Sequence, residues 1–169
     1  TIHADQFSAG GSAVAVKFNA VSADHLEAST SHEIDLLAKS NVIATALPGA
    51  SLGLGCNFTP ARKILDAGGA LAIARDHNPG SAPMGDLLTQ AAILGTMEKL
   101  TNAEVLAGIT CRAAAALNLD DRGKLKPGYF ADFSLFHTAD FNEVLYNQGA
   151  FKPCMVFKEG KLIYDKHNP

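Results

Sequence analysis

Apolar residues in this chain come in short runs that stop abruptly at polar or turn-forming positions, and helical segments separate the runs. The clearest run is Val42-Ile43-Ala44-Thr45-Ala46-Leu47, which is short, β-branched and ended by Pro48-Gly49, the pattern of a buried strand. Ala70-Leu71-Ala72-Ile73-Ala74 repeats the pattern and halts at the polar loop Asp76-His77-Asn78-Pro79-Gly80-Ser81. A briefer run, Ala20-Val21-Ser22-Ala23, stops at Asp24-His25, and a first strand stops at His3. Between these strands the spacing predicts a short helix over 10–18 with Ser12 near its cap. A second helix is expected from Ser31 to Lys39, opened by the capping box Thr30-Ser31-His32-Glu33. Residues 49–58 read as a Gly-rich loop. After it, Thr59 as N-cap and Pro60 at the first helical position open a helix that Gly68-Gly69 stops. Two longer helices are expected, from Asp86 to Lys99 and from the capping box Thr101–Glu104 to Leu117.

Buried strands alternating with helices imply an α/β fold with a parallel sheet, either doubly wound or part of a (β/α)8 barrel. The polar residues choose between the two. His3, His25 and Asp76 each follow an apolar run, and Pro48-Gly49 marks the same point on another strand. In a barrel those strand ends converge on the face that carries the active site. Residues 1–120 are therefore expected to be half a barrel with its last helices. Beyond Gly123 the period changes to that of strands at 131–136, 155–158 and 161–164, the last two joined by Glu159-Gly160, so 121–169 is expected to be a small β unit.

Composition narrows the class without naming it. With 169 residues, 47% hydrophobic, 18% charged and 15 glycines, the chain is one globular domain or a piece of a larger one; coiled coil, collagen and disorder are excluded. Its 14 Lys+Arg against 17 Asp+Glu provide no basic field for a phosphate backbone, so no nucleic-acid partner is expected. No run approaches the roughly 18 apolar residues that cross a bilayer, so no membrane partner is expected. Three scattered cysteines, Cys56, Cys111 and Cys154, form no CxxC pair and point to a reducing, cytoplasmic setting. The start Thr1-Ile2-His3 carries no initiator Met, which suggests that the chain begins inside a longer protein.

The candidate chemistry lies at the strand ends. A His there can offer a neutral imidazole to a metal, although His3 or His25 alone reads as a solvated or capped residue. An Asp directly ending an apolar run is costly unless it is hydrogen-bonded or bound to a cation. Together, His3, His25 and Asp76 at matching points of repeated units read as a site. Asn78-Pro79-Gly80-Ser81 adds an amide, free backbone N–H groups and a hydroxyl suited to a small carboxylate or amide. His32, His77, His137 and His167 lack such placement and read as solvated or capping. No GxSxG, GxGxxG or P-loop occurs.

In order along nearly the whole chain, His3-Ala4-Asp5-Gln6, Ser22-Ala23-Asp24-His25, Leu47-Pro48-Gly49-Ala50, Asp76-His77-Asn78-Pro79-Gly80-Ser81 and Gly123-Lys124-Leu125-Lys126-Pro127-Gly128 with Ala131-Asp132 resemble the imidazolonepropionases, a branch of the metal-dependent amidohydrolases. The resemblance implies the carboxy-terminal half of a (β/α)8 barrel with strands of a small composite β domain. It implies one divalent metal ion, Zn or Fe, and hydrolysis of 4-imidazolone-5-propanoate to N-formimidoyl-L-glutamate in histidine degradation. By matching motifs, His3 is a metal ligand, and Asp76 is both a ligand and the base that deprotonates the attacking water. His25 polarises the ring carbonyl or relays a proton. Gln6, Asn78, Gly80 and Ser81 hold the substrate.

Two departures stand out. The family's His-x-His pair is absent among the six His here, leaving two of four metal ligands. Arg75 stands where a small hydroxyl residue is usual, and strand alternation turns it away from the site. Competing readings are another cyclic amidohydrolase or deaminase of the superfamily, and a non-catalytic association module. Unpaired edge strands of a half barrel template pairing, so a homo-oligomer is expected.

Overall fold

The computed structural model describes residues 1–167. Four strands, β1 (Ile2–Ala4), β2 (Ser22–His25), β3 (Ile43–Ala46) and β4 (Leu71–Ile73), form one parallel sheet in the order β1-β2-β3-β4. Each strand lies beside its neighbour in sequence, so the order never reverses. A doubly wound sheet reverses at a switch point, whereas crossovers that always advance by one strand keep their helices on one side and curl the sheet toward closure. The four units are half of a (β/α)8 barrel.

Register divides the strand residues into two faces. Ala4, Ala23, Ala44, Ala46, Leu71 and Ile73 share one core with Ala15, Ile34, Leu37, Ile64, Leu94 and Val105 from the helices. On the opposite face the pairing aligns His3, Asp24, Thr45 and Ala72 in one row. The helices are α1 (Gly11–Lys17), α2 (Ser31–Ala38), α3 (Pro48–Leu54), α4 (Ala61–Asp66), α5 (Leu87–Met97), α6 (Asn102–Ile109), α7 (Cys111–Ala116) and α8 (Asn142–Tyr146). Both capping boxes form as expected, Thr30 with Glu33 on α2 and Thr101 with Glu104 on α6.

The helices also depart from expectation. Gly10, at φ +116°, opens α1, while Ser12 turns inward to a carboxylate. Residues expected as a Gly-rich loop form α3 instead, because Pro48 presets its first turn and the glycines serve close approach. A Cβ on Gly53 would lie 1.7 Å from the Ser81 carbonyl oxygen, and one on Gly49 would lie 2.9 Å from the Arg75 carbonyl oxygen. Thr59 does not cap α4; its hydroxyl donates to the His25 carbonyl and leaves Pro60 at the cap. The single helix expected over 101–117 breaks at Thr110, whose φ of −124° and ψ of −96° are not helical.

A second sheet, antiparallel and ordered β5-β6-β7, is built from β5 (Phe133–Leu135), β6 (Met155–Lys158) and β7 (Lys161–Asp165). Glu159 and Gly160, both at positive φ, make the β6–β7 turn, and the Phe133 and Phe157 rings stack across the β5–β6 pair at 4.6 Å. The unexpected α8 lies between β5 and β6, and it sends Leu145 into the core under the barrel helices.

Candidate active site

Three of the four barrel strands run into left-handed backbone at residues other than glycine, either at the strand end or within three residues after it. Asp5 has φ +49°, His25 +82°, Leu26 +74° and Asp76 +51°. Such conformations cost on the order of 1–3 kcal/mol each and persist only where the surroundings over-determine them. Asp5 supplies much of that determination. Its buried carboxylate accepts the Ser12 N–H (3.2 Å), the Ser12 hydroxyl and the Ser29 hydroxyl (2.8 Å), tying the end of β1 to α1 and to the loop after β2. The Asp5 carbonyl accepts the Ala28 N–H at 2.7 Å, and the Ala4 carbonyl accepts that of Leu26 at 3.0 Å.

These bonds aim His25. Strand alternation alone would send its side chain to the helix face with Ala23. The left-handed turn at His25 and Leu26 ends the alternation, and the imidazole meets that of His3, with ring centroids 4.1 Å apart and planes 43° apart. His25 is the last residue of β2 and buried, whereas His3 lies in the middle of β1 and is exposed, so neither follows its strand as expected. Behind His25 lies Glu27, whose Oε1 is 3.7 Å from the His25 Nδ1; the two side chains are 3% and 6% exposed respectively. The Ser51 hydroxyl on α3 donates to Glu27 Oε1 at 2.9 Å. His25 Nδ1 and Glu27 Oε2 have no hydrogen-bond partner among the described residues. Burial, aided by the Glu27 charge, pushes the nearby Cys56 thiol up, so it stays protonated and is no nucleophile at neutral pH.

The third strand end is a self-contained loop. Asp76 is the third residue beyond β4 and half-buried, not directly at the strand end. Its carbonyl accepts the Asn78 amide at 2.7 Å, and its Oδ2 lies 3.3 Å from the same nitrogen, so most of the carboxylate's acceptor capacity stays open. The backbone N–H groups of Gly80 and Ser81, expected to be free, are not; they donate to Asn78 Oδ1 at 2.9 and 2.8 Å. Arg75 points outward and donates to the Gly85 carbonyl at 2.8 Å. Gln6 is half-buried just after β1. His32, His77, His137 and His167 are exposed, as expected.

Two clusters result: His3 with His25, and Asp76 with Asn78, Gly80 and Ser81. Imidazole and carboxylate donors suit Zn or Fe(II), and the open Asp76 carboxylate and accessible His3 ring fit such an ion. However, β1 and β4 are the outer strands, three spacings or about 14 Å apart in a flat sheet, and curvature shortens that separation. Among the described residues no group of three or more His, Cys, Asp or Glu comes together to hold a metal. Sequence reasoning gave no role to Asp5, Glu27 or Ser51. The rule applied to Asp76, that an acid ending an apolar run needs partners, applies equally to Asp5; Ser51 left no signal.

Comparison with known proteins places this geometry. The amidohydrolase family profile matches residues 3–163. The imidazolonepropionase of Deinococcus deserti is 45% identical over 163 residues, covering 96% of this chain and 41% of that protein. That of Fusobacterium nucleatum is 38% identical over 167 residues, covering 98% and 40%. The chain thus spans about 40% of the length of these curated relatives. Among solved structures, an adenosine deaminase from Xanthomonas campestris with bound zinc superposes with a TM-score of 0.82 at 22% identity, covering 96% of this chain and 44% of that one. A 5-methylcytosine deaminase from Klebsiella pneumoniae superposes with a TM-score of 0.76 at 18% identity, covering 96% and 47%. No helix among the described residues is long and apolar enough to cross a membrane.

Proposed function

Because this chain belongs to the amidohydrolase family, we propose that it is the carboxy-terminal part of an imidazolonepropionase, which opens the ring amide of 4-imidazolone-5-propanoate to give N-formimidoyl-L-glutamate in histidine degradation. The observation that carries this reading is the meeting of the His3 ring on β1 with the His25 ring at the end of the adjacent β2, with Asp76 in the loop that follows the fourth strand. Residues 1–120 serve as the half barrel and 121–169 as part of the composite β domain. The enzyme works in the cytoplasm as a homo-oligomer.

His3 and Asp76 would hold one divalent ion, Zn or Fe, and further donors complete the set, since such sites use three or four protein ligands. When bound, such an ion would act as a Lewis acid and lower the pKa of a bound water to near neutrality. The open oxygen of Asp76 takes the proton of the attacking water, whose oxygen adds to the ring carbonyl carbon. His25, fixed by the left-handed turn, relays through its bare Nε2 the proton that moves from Asp76 toward the leaving ring nitrogen. When the C–N bond breaks, the proton held by Asp76 passes to the leaving ring nitrogen. Gln6 meets the ring, while Asn78, Gly80 and Ser81 form a braced wall for the propanoate carboxylate.

The test is turnover of 4-imidazolone-5-propanoate by the full-length protein, followed by loss of its ultraviolet absorbance. Activity should disappear on chelation and dialysis and return with Zn or Fe. Undiminished activity after chelation, or preference for another cyclic amide or an amidine in a substrate panel, would overturn the reading.

A further inference from the structure

We propose that Glu27 is a positioning residue for His25: its carboxylate accepts a hydrogen bond from the Nδ1–H of the imidazole and leaves Nε2 as the nitrogen that works at the strand-end site. This rests on the reading of His25 as a residue of the active site. Four observations carry it. First, both side chains are nearly completely buried, with 3% of Glu27 and 6% of His25 exposed. Burying a carboxylate without compensation is costly, so a Glu in this place needs donors. Second, the Ser51 hydroxyl supplies one donor, at 2.9 Å to Oε1, while Oε2 remains without a partner. Third, His25 Nδ1 lies 3.7 Å from Glu27 Oε1 and is itself a buried polar atom without a hydrogen bond among the described residues. Fourth, the imidazole packs on the ring of His3, with centroids 4.1 Å apart, so His25 belongs to the strand-end site.

The 3.7 Å separation is a contact that a small rotation of the ring or carboxylate converts to a hydrogen bond, and catalytic hydrogen bonds often tighten only when substrate is present. The resulting order, hydroxyl to carboxylate to imidazole, fixes a tautomer and a ring orientation in the way that carboxylate partners of catalytic and metal-binding histidines do. Its parts come from two elements: Ser51 stands on α3, and His25 and Glu27 flank the left-handed Leu26. The segment read from sequence as a loop thereby reaches the site.

The experiment reads the ring directly. Full-length protein carrying ring-15N histidine is examined by solid-state NMR, and the His25 resonances are assigned by their loss in His25→Asn. We expect the wild-type spectrum to show His25 protonated at Nδ1 and bare at Nε2. Glu27→Gln keeps the volume. Its carbonyl oxygen accepts from Ser51 and its amide then faces Nδ1, so the proton should move to Nε2. The same variant should lower kcat by about 10–100-fold, the usual effect of losing such a partner, with KM changed less than threefold. Wild-type His25 protonated at Nε2 alone, or ring resonances unchanged by Glu27→Gln, would overturn the proposal. The wild-type measurement does not depend on any variant folding. If the tautomer is as expected but the enzyme does not open the imidazolone, the substrate reading fails and the positioning role stands.

Discussion

The ion pair that joins the outer helices allows a quantitative test of how this half barrel is held together. Arg62 on α4 meets Glu104 on α6 in a bidentate pair, with both N–O distances 3.0 Å, and its Nε reaches Asp66 at 2.9 Å. The guanidinium, followed by the Thr101 N–H, pulls the Glu104 carboxyl down to about 2. Against an ordinary value near 4.5, that difference sets an upper limit of about 3 kcal/mol on what the ionised carboxylate gains in the fold. Arg62 and Glu104 keep 31% and 29% of their side-chain surfaces in water. Screening and the shared Thr101 bond therefore reduce the Arg62 contribution to about 1–2 kcal/mol. The sign follows from the depressed value. The contribution is complete above the unfolded carboxyl's pKa near 4.5 and is lost as pH falls toward 2, with less than half left at pH 3. Urea unfolding followed by circular dichroism on wild type, Arg62→Met, Glu104→Gln and the double variant gives the coupling as a double-mutant cycle. Glutamine keeps an acceptor for the Thr101 cap, so the cycle isolates the pair. We expect about 1–2 kcal/mol at pH 7 and less than half of that at pH 3. A coupling below about 0.3 kcal/mol at pH 7, or one unchanged at pH 3, would refute the reasoning.

Three further outcomes follow from the site. In the full-length enzyme Asp76→Asn should lower kcat by at least about 10²-fold, the usual effect of losing a general base, and a loss under tenfold would remove Asp76 from that role. Asn78→Ala should raise KM by about tenfold or more and speed amide exchange at Gly80 and Ser81, because the Asn78 carbonyl oxygen is their acceptor; unchanged exchange would show that the loop does not depend on it. Gly53→Ala should destabilise the chain by about 1–3 kcal/mol, since its Cβ would fall 1.7 Å from the Ser81 carbonyl oxygen and α3 must move away from the loop after β4; a melting temperature within 1 °C of wild type would contradict the contact.

Legibility in the sequence followed the range of the interactions involved. Elements determined by their own residues were readable. The capping boxes of α2 and α6, the buried runs of β3 and β4 and the Glu159-Gly160 turn each carry their signal within a few positions. Elements determined by contact with something distant were not. Gly49 and Gly53 look like parts of a loop until Gln90 and Arg75 are placed against the first and Ser81 against the second, and then the small residues become the reason a helix can approach the segment after β4. Thr59 has the chemistry of a helix cap and lies beside Pro60, yet its hydroxyl donates to the carbonyl of the buried His25 instead. That bond reaches across 34 positions, beyond any local pattern.

The candidate site divides along the same line. Counting polar residues at the ends of apolar runs was sufficient to select His3, His25 and Asp76, because a charged or imidazole group there must find a partner. It could not reveal that His25 belongs on the helix side by alternation and reaches His3 through a left-handed backbone. That conformation is unfavourable for His25 on its own, so its cause lies elsewhere, in the bonds that fix both flanks of the turn. Asp5 anchors one flank through Ser12, Ser29 and the Ala28 N–H, and Thr59 anchors the other at the His25 carbonyl. Asp5 stands two residues from His3 in the same motif, but its carboxylate is buried and accepts three donors, so it acts by holding the geometry that brings the two imidazoles together. The motif His3-Ala4-Asp5-Gln6 therefore combines a candidate for chemistry with a residue that holds the geometry around it. Residue type does not distinguish the two roles, because both belong to titratable side chains; the count of satisfied acceptors does, with three donors on Asp5 and a single weak one on the Asp76 carboxylate.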